Sequence, residues 1–227
     1  MDTNTSRTIS FQQVSSDEAV AVYISRALTS QLHNGKSVSW FLSGGSAIQL
    51  AVKVAGMLQS TDTSKLSITL IDERYGPVGH ADSNWKQLED ANFSVANARL
   101  IPVLNGSDLQ ATAAHFAEIV RDLLTADFRF AILGIGPDGH TAGILPATEA
   151  VDATGLTVGY NTDQYDRVTM TVEALERLDE AVVYAMGEAK KPTLEQLRDQ
   201  DLPLAEQPAQ VLKHIKKVTI FNDQIGE

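Results

Sequence analysis

The chain contains no cysteine. That absence excludes disulfides, thiolate nucleophiles and cysteine-ligated zinc. Basic residues are in short supply, 18 against 29 acidic ones, which leaves a formal charge of −11. A face able to neutralise a run of phosphates is therefore not expected, and neither nucleic acid nor an anionic membrane surface is a natural partner. No segment approaches the ~20 consecutive apolar residues of a membrane span, and the polar start, Met1 to Arg7, lacks the apolar stretch of a signal peptide. A cytoplasmic protein is the expectation. With 227 residues, 43% hydrophobic and 21% charged, the chain has ordinary globular composition, far from that of disorder.

What is present is a repeated grammar of strand, polar turn and helix. Residues 15–32 read as a helix opened by Ser15 and Glu18 at capping-box spacing and closed by Asn34-Gly35. The run SVSWFL (37–42) reads as a strand, followed by Ser43-Gly44-Gly45-Ser46 and a helical pattern through Leu58. LSITLI (66–71) leads into Asp72-Glu73-Arg74, and FRFAIL (128–133) leads into Gly134-Ile135-Gly136-Pro137-Asp138-Gly139-His140. Ser107 and Gln110 have the spacing to cap a helix ending at Leu124. Later come an extended stretch at 167–172, a strand at 181–186, a helix at 188–198 and a strand at 218–221. Strands alternating with helices imply an α/β fold, a three-layer αβα arrangement with a mainly parallel, Rossmann-like sheet and helices on both faces. No linker divides the chain, so one domain over residues 1–227 is expected, with 1–7 flexible. Residues 148–166 mix Gly, Asn and Asp with little periodicity and read as an irregular loop over the site.

All three polar motifs follow predicted strands, where a parallel sheet places its active site. The SGGS turn offers backbone N–H groups at a helix N-terminus, which favours a phosphate; an unliganded tight turn is the plain alternative. GIGPDG fits the dinucleotide-binding GxGxxG pattern, but Gly143 and Pro146 follow it, so the long helix that motif requires is missing. Asp72-Glu73-Arg74 reads either as site charge or as a surface ion-pair cluster. His33, His115 and His214, on predicted helices, read as solvated or packed side chains. His140 follows Asp138-Gly139 at a strand end, where a carboxylate can orient its imidazole for general-base work. Asp72, His80, Asp82, Asp138 and His140 match no metal-ligand spacing, and no GxSxG elbow is present.

Taken in order, LSGGS, DER with Pro77 and Ser83-Asn84, LGIGPDGHTAGILP (133–146), RVTMT from Arg167, and Gly187-Glu188-Ala189-Lys190 resemble the 6-phosphogluconolactonases of the glucosamine-6-phosphate isomerase/deaminase superfamily. The resemblance implies hydrolysis of 6-phosphoglucono-1,5-lactone, in the oxidative pentose phosphate pathway, by a monomer or small homo-oligomer using no metal or organic cofactor. It implies that Ser43, Gly44, Gly45, Ser46, Arg167 and Lys190 hold the 6-phosphate and that His140 activates water. Arg74 would stabilise the C1 oxyanion or position the sugar acid, and Asp72 would bind hydroxyls or orient His140. Two departures stand out. The stretch before Arg167, where the family usually carries a serine, a lysine and several prolines, reads Tyr160-Asn161-Thr162-Asp163-Gln164-Tyr165-Asp166, and Gly143-Ile144 replace a common serine-leucine. The sister isomerase/deaminases have a glutamate in the run after the histidine, where this chain has Leu145 five residues on. A non-catalytic sugar-phosphate sensor on the same fold is the other alternative.

Overall fold

The computed structural model describes residues 7–227, so the flexibility expected of residues 1–7 falls, but for Arg7, outside the described residues. Along them run β1 (Thr8–Gln13), α1 (Asp17–His33), β2 (Val38–Leu42), α2 (Ser46–Met57), β3 (Leu66–Leu70), β4 (Asp72–Arg74), α3 (Asn84–Asp90) and β5 (Arg99–Leu100). Then follow α4 (Leu109–Leu123), β6 (Phe128–Leu133), β7 (Thr157–Tyr160), β8 (Arg167–Met170), α5 (Val172–Leu175), β9 (Glu180–Ala185), α6 (Lys191–Asp199) and β10 (Lys217–Asn222). Short 3-10 turns occupy Glu188–Lys190 and Pro208–His214.

Seven strands form one sheet in the order β1-β10-β9-β6-β2-β3-β5, and every pairing in it is parallel. The central strands explain themselves. All five residues of β2 are buried, as are most of β6 and β9, and such unbroken apolar runs are what a strand covered on both faces requires. From β2 the chain steps one way to β3 and β5. It then returns to the far side of β2 and steps the other way, through β6, β9 and β10. Right-handed crossovers accordingly put α1 and α2 on one face and α4 and α6 on the other. The reversal falls between β2 and β6, which makes the crevice beyond their carboxyl ends the switch point where α/β sheets bind ligands.

Several expectations need correction. The N-cap of α1 is Ser16, not Ser15, and its side chain makes no capping bond. The cap of α4 is Asp108, whose carboxylate accepts from the Ala111 N–H at 2.8 Å, while Gln110 instead donates to the Gly159 carbonyl. The helix expected at 188–198 is a 3-10 turn followed by α6. Residues 148–166 are not one loop: they include β7, which joins β8 and β4 in a small antiparallel sheet, order β4-β8-β7. That second sheet grows from β3, which passes through Ile71 directly into β4. Among the described residues no helix is long and apolar enough to cross a membrane.

Candidate active site

The three polar motifs leave three adjacent strands, β6, β2 and β3, and so meet in one place. Beyond β2, the Ser43 N–H donates to the Ile132 carbonyl of β6 at 3.1 Å, which ties the turn across the switch point. Gly45 caps α2 with φ +64°, a conformation glycine takes without penalty. Gly44 is required for a different reason: a Cβ there would lie 2.1 Å from Oδ1 of Asn84, whose amide fills the space beneath the turn. The N-terminus of the 12-residue α2 therefore opens into the crevice with its N–H groups and positive dipole end forward.

Beyond β3, alternation along β4 separates the acidic pair. Asp72 and Arg74 line the crevice, whereas Glu73 turns inward and is fully buried. The Glu73 carboxylate accepts from the N–H groups of Arg74, Asn84 and Trp85 and from the Ser83 hydroxyl, at 2.6–3.0 Å. Burial raises its pKa, with those donors opposing. It satisfies the start of α3, whose own cap is Ser83. This positions Asn84, which donates to the Asp72 carbonyl at 3.0 Å and lines the crevice. Glu73 and Asn84 were not among the expected site residues; the Ser83-Asn84 pair inside the motif series was the signal available.

Beyond β6, Asp138 Oδ1 lies 2.6 Å from His140 Nδ1 and also accepts the His140 backbone N–H at 3.2 Å. Partial burial would raise the Asp138 pKa, but the charge of His140 and its hydrogen bonds outweigh that and hold the carboxyl below the usual range. The turn leaves no slack: the Gly136 N–H donates to the His140 carbonyl at 2.9 Å, and a Cβ on Gly136 would sit 2.1 Å from His140 Nδ1 and 2.4 Å from Asp138 Oδ1. Gly143, the residue that departs from the family's serine, has φ +67° and backs directly onto Asp72, 2.6 Å from where its Cβ would be. No long helix follows, as expected of a turn that is not a dinucleotide fingerprint.

The result is a cleft of about 330 Å³ lined by Ser43, Gly44, Gly45, Ser46, Asp72, Arg74, His140, Arg167 and Lys190, together with Asn84, Gln164 and Tyr165 among others. Every expected site residue lines it except Asp138, which contacts His140. Arg167 Nη1 donates to Asp72 Oδ2 at 3.4 Å, so Asp72 orients an arginine while Asp138 holds the histidine. Lys190 is half-buried and donates to the Ile135 carbonyl; burial lowers its pKa, opposed by Asp138. The carboxylates that entered with the altered loop stay outside the cleft: Asp163 is exposed, and Asp166 accepts from the Asn161 amide at 2.7 Å. Three cations thus face one carboxylate. Ser43 Oγ, Arg74 Nε, Asn84 Oδ1 and Arg167 Nε are buried there without a partner in the protein.

His80 and Asp82 do not line the cleft but touch residues that do. His80 Nε2 contacts the Arg74 carbonyl and Asp82 Oδ1 accepts from Tyr165. Among the described residues no three His, Cys, Asp or Glu side chains converge on a metal position.

Burial raises the Asp72 pKa despite the opposing charges of Arg167, His140 and Arg74. Folding therefore favours its protonated form, an advantage full below the unfolded-chain pKa and lost as pH rises through the folded one. Asp72→Asn, which cannot titrate, is expected to gain in stability relative to the parent protein as pH rises from about 4 towards neutrality. The gain should vanish as pH falls towards about 4, where the carboxyl of the unfolded chain also protonates. Thermal unfolding of both proteins across that range measures it; a uniform gain at every pH contradicts the cause given.

A doubly wound parallel sheet with a cation-lined polar cleft at its switch point defines an α/β protein built around a small-ligand site. The chain belongs to the family described as Glucosamine-6-phosphate isomerases/6-phosphogluconolactonase, whose model matches residues 12–221. It is 32% identical over 189 residues to the 6-phosphogluconolactonase of Helicobacter pylori strain ATCC 700392 / 26695, covering 79% of each chain. It is 29% identical to that of Rhizobium meliloti, covering 79% of this chain and 81% of the relative. Among solved structures, a 6-phosphogluconolactonase from Shewanella baltica superimposes with a TM-score of 0.82 at 23% identity, covering 95% of this chain and 97% of the other. A monomeric glucosamine-6-phosphate deaminase does so with a TM-score of 0.78 at 17% identity, over 94% and 96%. The fold is therefore common to both activities, and the side chains must choose between them.

Proposed function

We propose that the chain, acting as a single domain in the cytoplasm, hydrolyses 6-phospho-D-glucono-1,5-lactone to 6-phospho-D-gluconate, the second step of the oxidative pentose phosphate pathway. The observation that carries this reading is the meeting, in one cleft, of a carboxylate-held histidine with an anion-binding helix turn and three cations. With Nδ1–H donating to Asp138, the lone pair of His140 lies on Nε2, the nitrogen left to act as base. Nε2 takes a proton from water as the water oxygen bonds to C1. The carbonyl electrons move onto the C1 oxygen, where Arg74 meets the developing charge. The intermediate then collapses, the bond from C1 to the ring oxygen breaks, and His140 returns the proton to that oxygen. The N–H groups of residues 43–46, with Arg167 and Lys190, hold the 6-phosphate. Water is the nucleophile, so no covalent enzyme intermediate and no metal or organic cofactor is called for.

The sister deamination needs a carboxylate for ring opening, and Leu145, five residues after His140, supplies none. Isotope exchange at C2 of glucosamine 6-phosphate without lactone hydrolysis would reverse the choice. Arg167→Ala and Lys190→Ala are each expected to weaken 6-phosphogluconate binding about tenfold or more, as loss of a charge-assisted phosphate contact does. Affinity for unphosphorylated gluconate should change little in either variant. Titration calorimetry with both ligands checks this, and equal affinity of the parent protein for the two removes the phosphate anchor.

A further inference from the structure

The loop that joins β7 to β8 carries a contact the reaction just described does not use. It is braced from within. Asn161 donates to Asp166 at 2.7 Å, the Tyr165 N–H donates to the Thr162 hydroxyl at 3.0 Å, and that hydroxyl donates to the Tyr165 carbonyl. From outside, the Tyr75 N–H donates to the Asp166 carbonyl at 2.7 Å, and the loop ends are pinned where Tyr160 pairs with Arg167. So held, the loop puts the Tyr165 ring against the Arg74 guanidinium, with Cζ 4.6 Å from the ring centroid. Asp82 closes the arrangement: its carbonyl accepts from Arg74 Nη1 at 3.3 Å and its carboxylate from the Tyr165 hydroxyl at 3.5 Å. Arg74 and Tyr165 both line the cleft, and Arg74 Nε is buried there without a partner.

We propose that Tyr165 is a positioning residue, whose ring holds the Arg74 guanidinium in the cleft before substrate arrives. An unsupported arginine would have to be ordered by the substrate, at a cost to binding or to the chemical step, whereas a stacked one is already placed. The ring face attracts the cation, and it does so without neutralising it, as a carboxylate partner would. Arg74 donates to a backbone carbonyl, that of Asp82, whereas Arg167 donates to the Asp72 carboxylate. The inference rests on the lactonase reading for the group that Arg74 meets, but the stack itself can be tested without it.

The experiment is a double-mutant cycle on the full chain, with Tyr165→Ala, Tyr165→Phe, Arg74→Ala and the Tyr165→Ala/Arg74→Ala pair. Steady-state lactone hydrolysis and 6-phosphogluconate affinity are both read. Tyr165→Ala should lower kcat/KM about tenfold, the scale of a partly desolvated cation-aromatic contact. Tyr165→Phe, which keeps the ring, should stay within about twofold of the parent, and Tyr165→Ala should cost nothing further once Arg74 is alanine. Equal losses with and without Arg74 would mean that the ring touches substrate directly and would overturn the proposal. So would a Tyr165→Phe loss as large as that of Tyr165→Ala, or no loss at all. A parent protein without lactonase activity sinks the function reading alone; the same non-additivity in 6-phosphogluconate affinity then still supports positioning, and additive or absent effects still refute it.

Discussion

Replacing His140 with alanine lowers enzyme-dependent lactone hydrolysis at least about 100-fold, the lower range of general acid-base assistance. Affinity for 6-phosphogluconate stays within a few-fold. The split follows from the geometry. His140 is anchored to Asp138 on one side, and the phosphate contacts assigned to the turn at 43–46, Arg167 and Lys190 come from other elements. Removing the imidazole takes away proton transfer in both halves of the reaction, to and from oxygen, and leaves the anchor in place. Rates corrected for spontaneous hydrolysis, set beside calorimetric affinities, measure the two effects separately. Turnover unchanged in this variant would remove His140 from the mechanism.

The second large effect comes from a residue that touches no substrate. Gly136→Ala places a Cβ where His140 Nδ1 and Asp138 Oδ1 now lie, at 2.1 Å and 2.4 Å. Gly136 does not occupy the left-handed region, so the backbone accepts alanine and the clash falls on the two side chains. They must part or rotate, because displacing the turn would break the hydrogen bond from the Gly136 N–H to the His140 carbonyl. Activity is expected to fall at least about 30-fold, since a base displaced by about 1 Å loses most of its oriented advantage. The fold should hold, because the added methyl meets the partly exposed His140 and Asp138 side chains rather than the apolar core. Far-ultraviolet circular dichroism and product affinity close to those of the parent, with turnover lost, constitute the expected result. Full activity in Gly136→Ala would show that the spacing of the pair is not under constraint.

What could be read from the residues, and what could not, divides along physical lines. Strands β2, β3, β6, β9 and β10 announce themselves because a buried parallel strand is an apolar run, and the polar turns after them are local signals. β1 gave no such signal: it is an edge strand with one buried residue, Phe11, and its partner β10 lies some two hundred residues away in the chain. β7 has only two buried residues, and its place is set by antiparallel pairing with β8. Both strands owe their existence to tertiary context rather than to local pattern. In the site, the turns at 43–46, 72–74 and 134–140 meet because adjacent strands carry them, whereas Arg167 arrives on β8 of the second sheet. Glu73, Asn84 and Tyr165 escaped because their parts are defined by what they touch: an α3 N-terminus, the underside of a glycine turn and an arginine. The two acidic residues of the altered loop, Asp163 and Asp166, stand close to Arg167 in the chain, yet neither lines the cleft. Nearness in sequence to Arg167 does not say which way a side chain points.

Shortage of positive charge remains the setting in which the site must work. A chain of formal charge −11 gathers Arg74, Arg167 and Lys190 at one cleft and sets only Asp72 among them. Long-range steering of an anion is thereby opposed by the surface as a whole and left to short-range contacts. These contacts are proposed to serve hydrolysis of a phosphorylated sugar lactone. The most direct test is a coupled assay on freshly prepared 6-phosphoglucono-1,5-lactone, with 6-phosphogluconate formation followed at several protein concentrations and the spontaneous rate subtracted. A rate that rises in proportion to protein, and that glucosamine 6-phosphate does not elicit as deamination, is the predicted result. Tight binding of 6-phosphogluconate with no hydrolysis above the spontaneous rate would contradict it and mark the chain as a sugar-phosphate sensor.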